Sequence, residues 1–353
     1  MESDVIPYII FYSLSLTLVV LSLVLKKYDW FWLLFLLFIS IIFIGLRVNV
    51  GADYTEYVRI YNQSYDTNFE LGFDIIFNLF KRFGYDYVFV SLFVFILTSF
   101  FFLYSIKSLQ HKTLIYFCFL LFMFVPLTST IRQGLAIPFF IICLLNADRP
   151  KVYFMSIAIG SFFHYSILFM LFFFFVRYFK QSYCRAYFII LFFLGLSVFN
   201  IVEYMIILLH YIPSLGTLSS KLLMYTQRYN VTLSLTSVAY KLAGLLLVTS
   251  FMSFIKINKK LLCSYNLYYI SLCLFILFKD NSVFTNRLMY ATNISLVTFF
   301  SFLLSMMNAF YRKAIVTFLF VIYFSINYFK FTATDLRHSI ESAYMPYKSV
   351  LIN

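Results

Sequence analysis

The sequence has few of the residues from which soluble domains and flexible linkers are built. Only 12% of its 353 residues are charged, 63% are apolar, and the mean hydropathy is +0.90. An ordinary soluble domain is about 45–50% apolar and about 25% charged, so the composition excludes that class. Glycine and proline are scarce, at nine and six residues, and no linker or internal repeat is visible. We therefore predict an all-α polytopic membrane protein, with residues 1–353 forming a single integral membrane domain.

The sequence also lacks the motifs of the common hydrolytic and nucleotide-binding enzymes. It contains no GxSxG, HExxH, P-loop or GxGxxG string, so no motif supports ester hydrolysis, zinc proteolysis or nucleotide hydrolysis. Its five cysteines show no CxxC or Cys/His spacing, and its four histidines show no paired spacing. We predict packing roles for the cysteines, and we expect neither a metal site nor a cofactor.

The sequence does contain a series of apolar runs, which predict about 11–12 transmembrane helices. Several are shorter than the roughly 20 residues that cross a bilayer upright. Another segment, 69–84, has apolar residues at helical spacing with charges between them, which predicts an amphipathic helix at the outer interface. The apolar runs are 5–25, 30–46, 87–106, 113–127, 133–147, 151–163, 165–179, 186–208, 236–255, 263–278, 287–307 and 313–330.

Basic residues are unequally distributed between alternate loops, and this predicts the orientation. Fourteen of the 27 basic residues lie in one set of loops, with only Asp29 and Asp148 as acids. The positive-inside rule places these loops in the cytoplasm, so the net charge of +13 is a topology signal and no nucleic-acid partner is expected. The alternation requires 151–176 to form a broken helix pair that meets near His164. The fourteen residues are Lys26, Lys27, Lys107, Lys112, Arg149, Lys151, Arg177, Lys180, Arg185, Lys256, Lys259, Lys260, Arg312 and Lys313.

Polar residues gather at the ends of spans on the opposite, outer side. Arg47, Arg132 and Arg287 lie there, and a guanidinium binds phosphate bidentately without losing its proton. We predict that they bind a diphosphate near the membrane surface, the alternative being contact with lipid headgroups. His164 and Asp53 are the candidate acid–base residues. Their structural alternatives are a core histidine and a carboxylate that caps a helix or pairs with Arg47. The other acid candidates are Glu56, Glu70 and Asp74.

Several motifs follow one another along the chain in an order that resembles a known family. Together they are similar to the EpsG-like branch of Wzy-type polysaccharide polymerases, which include the O-antigen polymerases. The resemblance covers nearly the whole chain. The motifs are RVNVGADYTEY at 47–57, Glu70 before an amphipathic stretch, IRQGLA at 131–136, FFHYS at 162–166, TNRLMY at 285–290 and the terminal pair Pro346–Tyr347.

The resemblance implies a metal-independent, GT-C-like glycosyltransferase of the bacterial inner membrane with its active site facing the periplasm. Such an enzyme moves a growing glycan from undecaprenyl diphosphate onto a sugar hydroxyl of the next undecaprenyl-diphosphate-linked repeat unit. The implied partners are these two lipid-linked oligosaccharides, membrane lipids and a chain-length regulator. A flippase of lipid-linked oligosaccharide, an O-antigen ligase and a membrane O-acyltransferase are the alternatives. Residues expected to contact sugar or support the site are Asn49, Gly51, Tyr54, Tyr57, Glu70, Gln133, Ser166, Tyr290 and Tyr347.

Overall fold

The structure is a computed structural model whose regular elements, within the described residues, are helices. The extended pairing found in those residues is an isolated antiparallel bridge between Arg47 and Ser349. The predicted all-α class is therefore confirmed. The described residues are 2–63, 69–180, 182–197, 199, 204, 211, 235–279, 285, 289–290, 292–334, 343–344 and 346–351.

Sixteen α-helices follow one another in the described part of the chain, and three short turns of 3-10 or π type lie between them. The α-helices are α1 (Glu2–Val24), α2 (Asp29–Ser40), α3 (Tyr54–Asn62), α4 (Leu71–Arg82), α5 (Tyr87–Ser105), α6 (Lys112–Phe122), α7 (Phe124–Thr128), α8 (Ile131–Leu145), α9 (Pro150–Ser161), α10 (Phe169–Val176), α11 (Tyr183–Leu196), α12 (Leu235–Thr249), α13 (Met252–Ile257), α14 (Lys259–Leu277), α15 (Ile294–Met306) and α16 (Phe310–Thr334). The 3-10 turns are Lys26–Tyr28 and Tyr165–Leu168, and the π turn is Ile41–Gly45.

Many of these helices have the composition of membrane-spanning segments. Within the described residues, five are long and apolar enough to cross a bilayer, and six apolar helices are shorter. The protein is therefore a multi-pass membrane protein, as predicted. The five longer segments are Val5–Val24, Lys26–Gly45, Tyr87–Ser105, Lys259–Leu277 and Phe310–Lys330.

The chain divides into two compact units. The first contains residues 1–172 and 297–353, and the second contains residues 173–296. In the first unit, α8 packs between α5 and α9, and α6 packs against α1, α2 and α16. In the second unit, α14 packs against α11, α12 and α13. The single-domain organisation expected from the sequence stays a prediction.

The apolar run 113–127 is not one helix, because a proline interrupts its backbone hydrogen bonds. Helix α6 ends at Phe122, and α7 begins at Phe124. Pro126 has no N–H with which to donate to the carbonyl group of Phe122, four residues earlier. Asn327 Nδ2 donates to that carbonyl group over 3.2 Å instead. A side chain of α16 thereby satisfies a backbone group that water does not reach inside a bilayer.

The helix break predicted near His164 is present. Helix α9 ends at Ser161, and His164 has extended backbone angles of φ −162° and ψ 130° before the turn Tyr165–Leu168. The hydroxyl group of Tyr153 in the first leg donates to the carbonyl group of Met170 in the second leg over 2.7 Å. The two legs therefore fold back on one another, as the charge alternation required.

Helix α4 is the amphipathic helix that the sequence predicts within 69–84. One face packs into the first unit through three buried residues, and the opposite face carries exposed apolar residues between its charges. Such a helix is suited to a membrane interface, and its location on the outer side stays a prediction. The buried residues are Phe73, Ile76 and Phe77, and the exposed apolar residues are Leu71, Ile75 and Leu79.

Candidate functional site

A partly buried ion pair joins the start of α4 to the first turn of α8. Arg132 Nη1 donates to Glu70 Oε2 over 2.5 Å, and only 22% and 6% of their side chains are exposed. Arg132 Nε also donates to the hydroxyl oxygen of Tyr57 over 3.2 Å. The guanidinium group lies 4.6 Å from the ring centroid of Phe69. A buried ion pair is costly unless further hydrogen bonds satisfy it, and here the α3 tyrosine supplies one.

His164 faces the same carboxylate from the hairpin break. Its Nε2 lies 4.0 Å from Glu70 Oε1, while its Nδ1 accepts a hydrogen bond from the backbone N–H of Ser166 over 3.1 Å. Because Nδ1 accepts, the proton of the neutral ring is on Nε2 and points towards Glu70. A direct hydrogen bond would be shorter than 4.0 Å. One hydroxyl oxygen, about 2.8 Å from each atom, bridges such a gap. Tyr57, Glu70, Arg132 and His164 form what we name the Glu70 cluster.

Gly72 allows the start of α4 to pack closely on the hairpin, and this places Glu70 near His164. Gly72, in the first turn of α4, donates its N–H to the carbonyl group of Phe162 over 2.7 Å. A Cβ at Gly72 would lie 2.8 Å from the same carbonyl oxygen, so a larger residue would separate the two segments. Glu70 itself is at the N-cap position of α4 with an extended backbone, and its side chain does not cap its own helix. It reaches Arg132 instead.

Arg47 lies in a buried environment. Its side chain is 1% exposed, and all its observed hydrogen bonds go to backbone carbonyl groups. Nη1 donates to Ile44 over 2.5 Å, Nη2 to Thr128 over 2.7 Å and Nε to Val50 over 3.1 Å. These bonds fix the loop after α2 against the end of α7. The expected diphosphate contact of Arg47 stays a prediction, and in this structure its guanidinium group is directed at backbone carbonyl groups.

The loop around Arg47 depends on two residues with left-handed backbone angles. Asn49 has φ 55° and Gly51 has φ 115°. A Cβ at Gly51 would collide with the carbonyl group of Thr128, so glycine permits close packing here. The N–H of Gly51 donates to the carbonyl group of Ala343 over 2.6 Å, which attaches the C-terminal segment 343–351 to the loop.

The tyrosines expected to contact sugar fall into two environments. Tyr347 stacks on Phe43 with 4.4 Å between centroids and donates its hydroxyl group to the carbonyl of Phe43 over 2.7 Å, so it supports the Arg47 loop. Tyr54 and Tyr57 of α3 both pack on Tyr87, at 5.1 and 6.1 Å. Helix α3 thus lies between the Arg47 loop and the Glu70 cluster, and of these tyrosines it is Tyr57 that contacts Arg132.

The other residues predicted to belong to the site are not members of the Glu70 cluster, and their positions differ. Asp53 precedes α3 by one residue and accepts the backbone N–H of Tyr57 with its carbonyl group over 3.0 Å, so it lies one turn from the cluster. Gln133 is buried beside Arg132. The buried hydroxyl oxygen of Ser166 has no hydrogen-bond partner within the described residues. Tyr290 belongs to the second unit, and Arg287 lies outside the described residues.

Two members of the site were not predicted from the sequence. Phe69 stacks on Arg132, and Gly72 makes the close backbone contact to Phe162. The one signal for Gly72 in the sequence is its place two residues after Glu70, at the beginning of an amphipathic segment. Within the described residues, no group of three or more His, Cys, Asp or Glu side chains is arranged to hold a metal ion.

Fold and site together define a multi-pass α-helical membrane protein with a buried carboxylate–arginine–histidine cluster. A model of the EpsG family matches residues 30–349, which is most of the chain, and the protein therefore belongs to the EpsG family. This is a family of membrane polysaccharide polymerase-like proteins. Comparison with curated proteins and with solved structures found no match. The family membership gives the protein a polymerase-like role in polysaccharide biosynthesis at a membrane.

Proposed function

We propose that the protein is a polysaccharide polymerase, a glycosyltransferase of the bacterial inner membrane that faces the periplasm. It moves a growing glycan from undecaprenyl diphosphate onto the next undecaprenyl-diphosphate-linked repeat unit, as in O-antigen synthesis. The observation that supports this most is the 4.0 Å gap between Glu70 Oε1 and His164 Nε2. The gap has the width for one sugar hydroxyl group, with an acceptor on one side and a donor on the other.

The reaction in this proposal is a single displacement. The acceptor hydroxyl group donates its proton to Glu70 while His164 Nε2–H donates to the hydroxyl oxygen and fixes its direction. That oxygen forms a bond to the anomeric carbon of the donor sugar. The bond between this carbon and the diphosphate oxygen breaks, and the diphosphate leaves with the electron pair. The proton ends on Glu70, and the step requires neither a metal nor a cofactor.

Arg132 is the proposed contact for the leaving diphosphate. Its hydrogen bonds to Glu70 and Tyr57 use two of its five N–H groups, and the others have no partner within the described residues. Its side chain is 22% exposed, so a ligand can reach it. A fixed guanidinium group stabilises the negative charge that develops as the diphosphate leaves. Arg287 is the proposed second contact, and Asp53 is the alternative base because it lies one turn from Tyr57.

Purified protein and a synthetic undecaprenyl-diphosphate repeat unit, with metals chelated, test the proposal. The wild type should produce a ladder of lengthening lipid-linked glycans. Glu70→Gln removes the proton acceptor and should lower the rate by about 10²–10⁴-fold, and Arg132→Ala should leave single lipid-linked units. The matched controls are Glu56→Gln and Arg59→Ala, since Glu56 and Arg59 form an exposed ion pair over 2.6 Å on the neighbouring helix α3. Both controls should retain the ladder.

Each result that would contradict the proposal points to a different conclusion. A full ladder from both Glu70→Gln and Arg132→Ala would remove the cluster from the reaction. Transfer of preformed chains to a lipid A core, without a ladder, would identify an O-antigen ligase. Absence of any covalent product, with repeat units accumulating on the cytoplasmic leaflet of cells that lack the gene, would identify a flippase.

A further inference from the structure

A groove with apolar walls and a basic end lies in the first unit, between α1, α6, α15 and α16. It encloses a cavity of about 370 Å³. Leu16 of α1, Leu114 of α6 and Phe318 of α16 form part of its apolar wall. Lys26 and Lys313 line the same cavity, although 287 positions separate them in the sequence. Two cations from distant segments thus meet at one end of an apolar channel.

The charge at the basic end is not cancelled by the nearest acid. Asp29 directs its carboxylate at the first turn of α6, where it accepts the backbone N–H groups of Lys112 and Thr113 over 3.0 and 3.3 Å. A helix N-terminus is a favourable partner for a carboxylate. The third ionisable residue of the groove is His111, whose pKa is lowered by burial and by Lys313, so its charged form is disfavoured. The carboxylate of Asp29 is thus held by the start of α6 and does not pair with Lys26 or Lys313.

The length of the groove matches one leaflet of a bilayer. On α1 its lining runs from Leu16 to Val24, which is about 12 Å at 1.5 Å per residue, and Lys26 in the following 3-10 turn extends it towards the length of one leaflet. The hydrocarbon core of a bilayer is about 30 Å thick, so the groove extends from the surface to about the midplane. A flexible acyl chain with an anionic headgroup has this combination of length, polarity and charge. A folded protein partner would present a broader surface.

The groove is separate from the Glu70 cluster. None of the residues that line the groove belongs to that cluster. The lysines of the groove belong to loops that the positive-inside rule places in the cytoplasm. Basic pockets between transmembrane helices on that side bind acidic lipid headgroups. We infer that the groove holds an acidic phospholipid of the cytoplasmic leaflet, with its phosphate group between Lys26 and Lys313.

Native mass spectrometry of the full-length protein in detergent tests this inference, with phosphatidylglycerol and phosphatidylcholine of the same acyl chains as probes. The double variant Lys26→Gln/Lys313→Gln should weaken phosphatidylglycerol binding about 30-fold, since each lysine near an anionic headgroup contributes about five-fold. The control Lys27→Gln/Arg312→Gln removes the same charge one residue away from each lysine, outside the groove. It should change binding less than about two-fold. Ala314→Trp, which fills the groove and leaves its lysines in place, should abolish binding.

Four outcomes would overturn the inference. Equal losses in the two double variants would show general surface electrostatics without a site. Equal binding of phosphatidylcholine by the wild type would show that the lysines do not select the ligand. Displacement of phosphatidylglycerol by an equal concentration of undecaprenyl diphosphate would assign the groove to the substrate carrier. Binding that Ala314→Trp leaves unchanged would place the lipid elsewhere on the protein.

Discussion

Arg47 and Arg132 are both held by several hydrogen bonds, but the charge of their partners differs. Arg47 donates to three neutral carbonyl groups and is 1% exposed. Burial lowers its pKa below the usual value. Arg132 donates to a carboxylate and a hydroxyl group and keeps a partly exposed edge. The first arrangement stabilises a loop, and the second orients a cation beside an acid that can react.

Replacing Arg47 with methionine should therefore reduce stability. The substitution keeps a long apolar side chain but leaves three buried carbonyl groups without their donor. Hydrogen bonds to charged groups contribute about 1.5–3 kcal/mol each, so we expect a loss on the order of 3–5 kcal/mol in the free energy of unfolding. Thermal unfolding in detergent measures it. The exposed Arg59→Met serves as the control and should unfold like the wild type.

A different result for Arg47→Met would support the ligand-binding interpretation. If this variant unfolds like the wild type but loses affinity for an undecaprenyl-diphosphate substrate, Arg47 contacts the diphosphate. Loss of polymer together with loss of stability would agree with the role of Arg47 in the loop.

Residue types could be predicted from the sequence more successfully than the partners of their side chains. Arg47 and Arg132 have similar sequence surroundings, each beside a span and a polar neighbour, and both were predicted to bind diphosphate. Which of them is buried depends on where Thr128 and Glu70 come to lie, and these are 81 and 62 positions away from their partners. Contacts between residues so far apart cannot be predicted from the local sequence. Glu70 is therefore predicted from the sequence only as a supporting residue.

At the scale of helices, two close packing contacts at glycines position the Glu70 cluster. The hairpin closes where Gly160 of α9 packs on Ile167 and Phe139, and an added Cβ would lie 3.1 Å from Phe139 Cβ. The start of α4 then meets this hairpin through the bond from Gly72 to Phe162. Packed helices do not deform freely, so the distance between Glu70 and His164 depends on these glycines.

Gly72→Ala should separate the two segments and lower activity. Its Cβ would lie 2.8 Å from the carbonyl oxygen of Phe162 and 3.0 Å from the ring of Phe163, so either α4 or the hairpin must move. We expect a loss of about 1–3 kcal/mol in stability from overpacking. We also expect a larger fall in polymerisation than in substrate binding, because the 4.0 Å gap to His164 changes. Unfolding curves and product ladders measure the two effects.

Gly195→Ala is the matched control for this substitution. Gly195 lies near the end of α11, and an added Cβ there meets no atom within 4 Å. Alanine favours a helix over glycine by about 1 kcal/mol, so this variant should be at least as stable as the wild type. Equal activity of Gly72→Ala and Gly195→Ala would contradict the positioning role of Gly72.

The sequence predicts a helix or a helix break well where the signal lies within one segment. It predicts them poorly where the element depends on a contact between two distant segments. The hairpin break near His164 follows from loop charges that are visible in the sequence, and it is confirmed. The division of the run 113–127 depends on Pro126, but its compensation comes from Asn327, about 200 positions later. The sequence shows the proline without showing which distant side chain satisfies the released carbonyl group.

At the scale of the whole molecule, the orientation in the membrane stays a prediction from the basic residues. Lys26 in the turn after α1, His111 before α6 and Lys313 in the first turn of α16 line one cavity of the first unit. The positive-inside rule predicts that such basic segments share the cytoplasmic side. Helix α2 begins near this basic end, and the π turn, Arg47 and Asp53 follow it in the sequence. The periplasmic location of the Glu70 cluster remains part of the proposed function.

Labelling of single cysteines in intact cells tests this orientation directly. In a Cys184→Ser background, the other four native cysteines are buried and should remain unlabelled. Arg59→Cys, at an exposed position of α3, should react with a membrane-impermeant maleimide from the periplasm. Lys27→Cys should react only after the membrane is permeabilised, because it adjoins the basic groove. The reverse pattern would place the cluster in the cytoplasm, where lipid-linked units are not polymerised in the proposed reaction, and would refute the proposal.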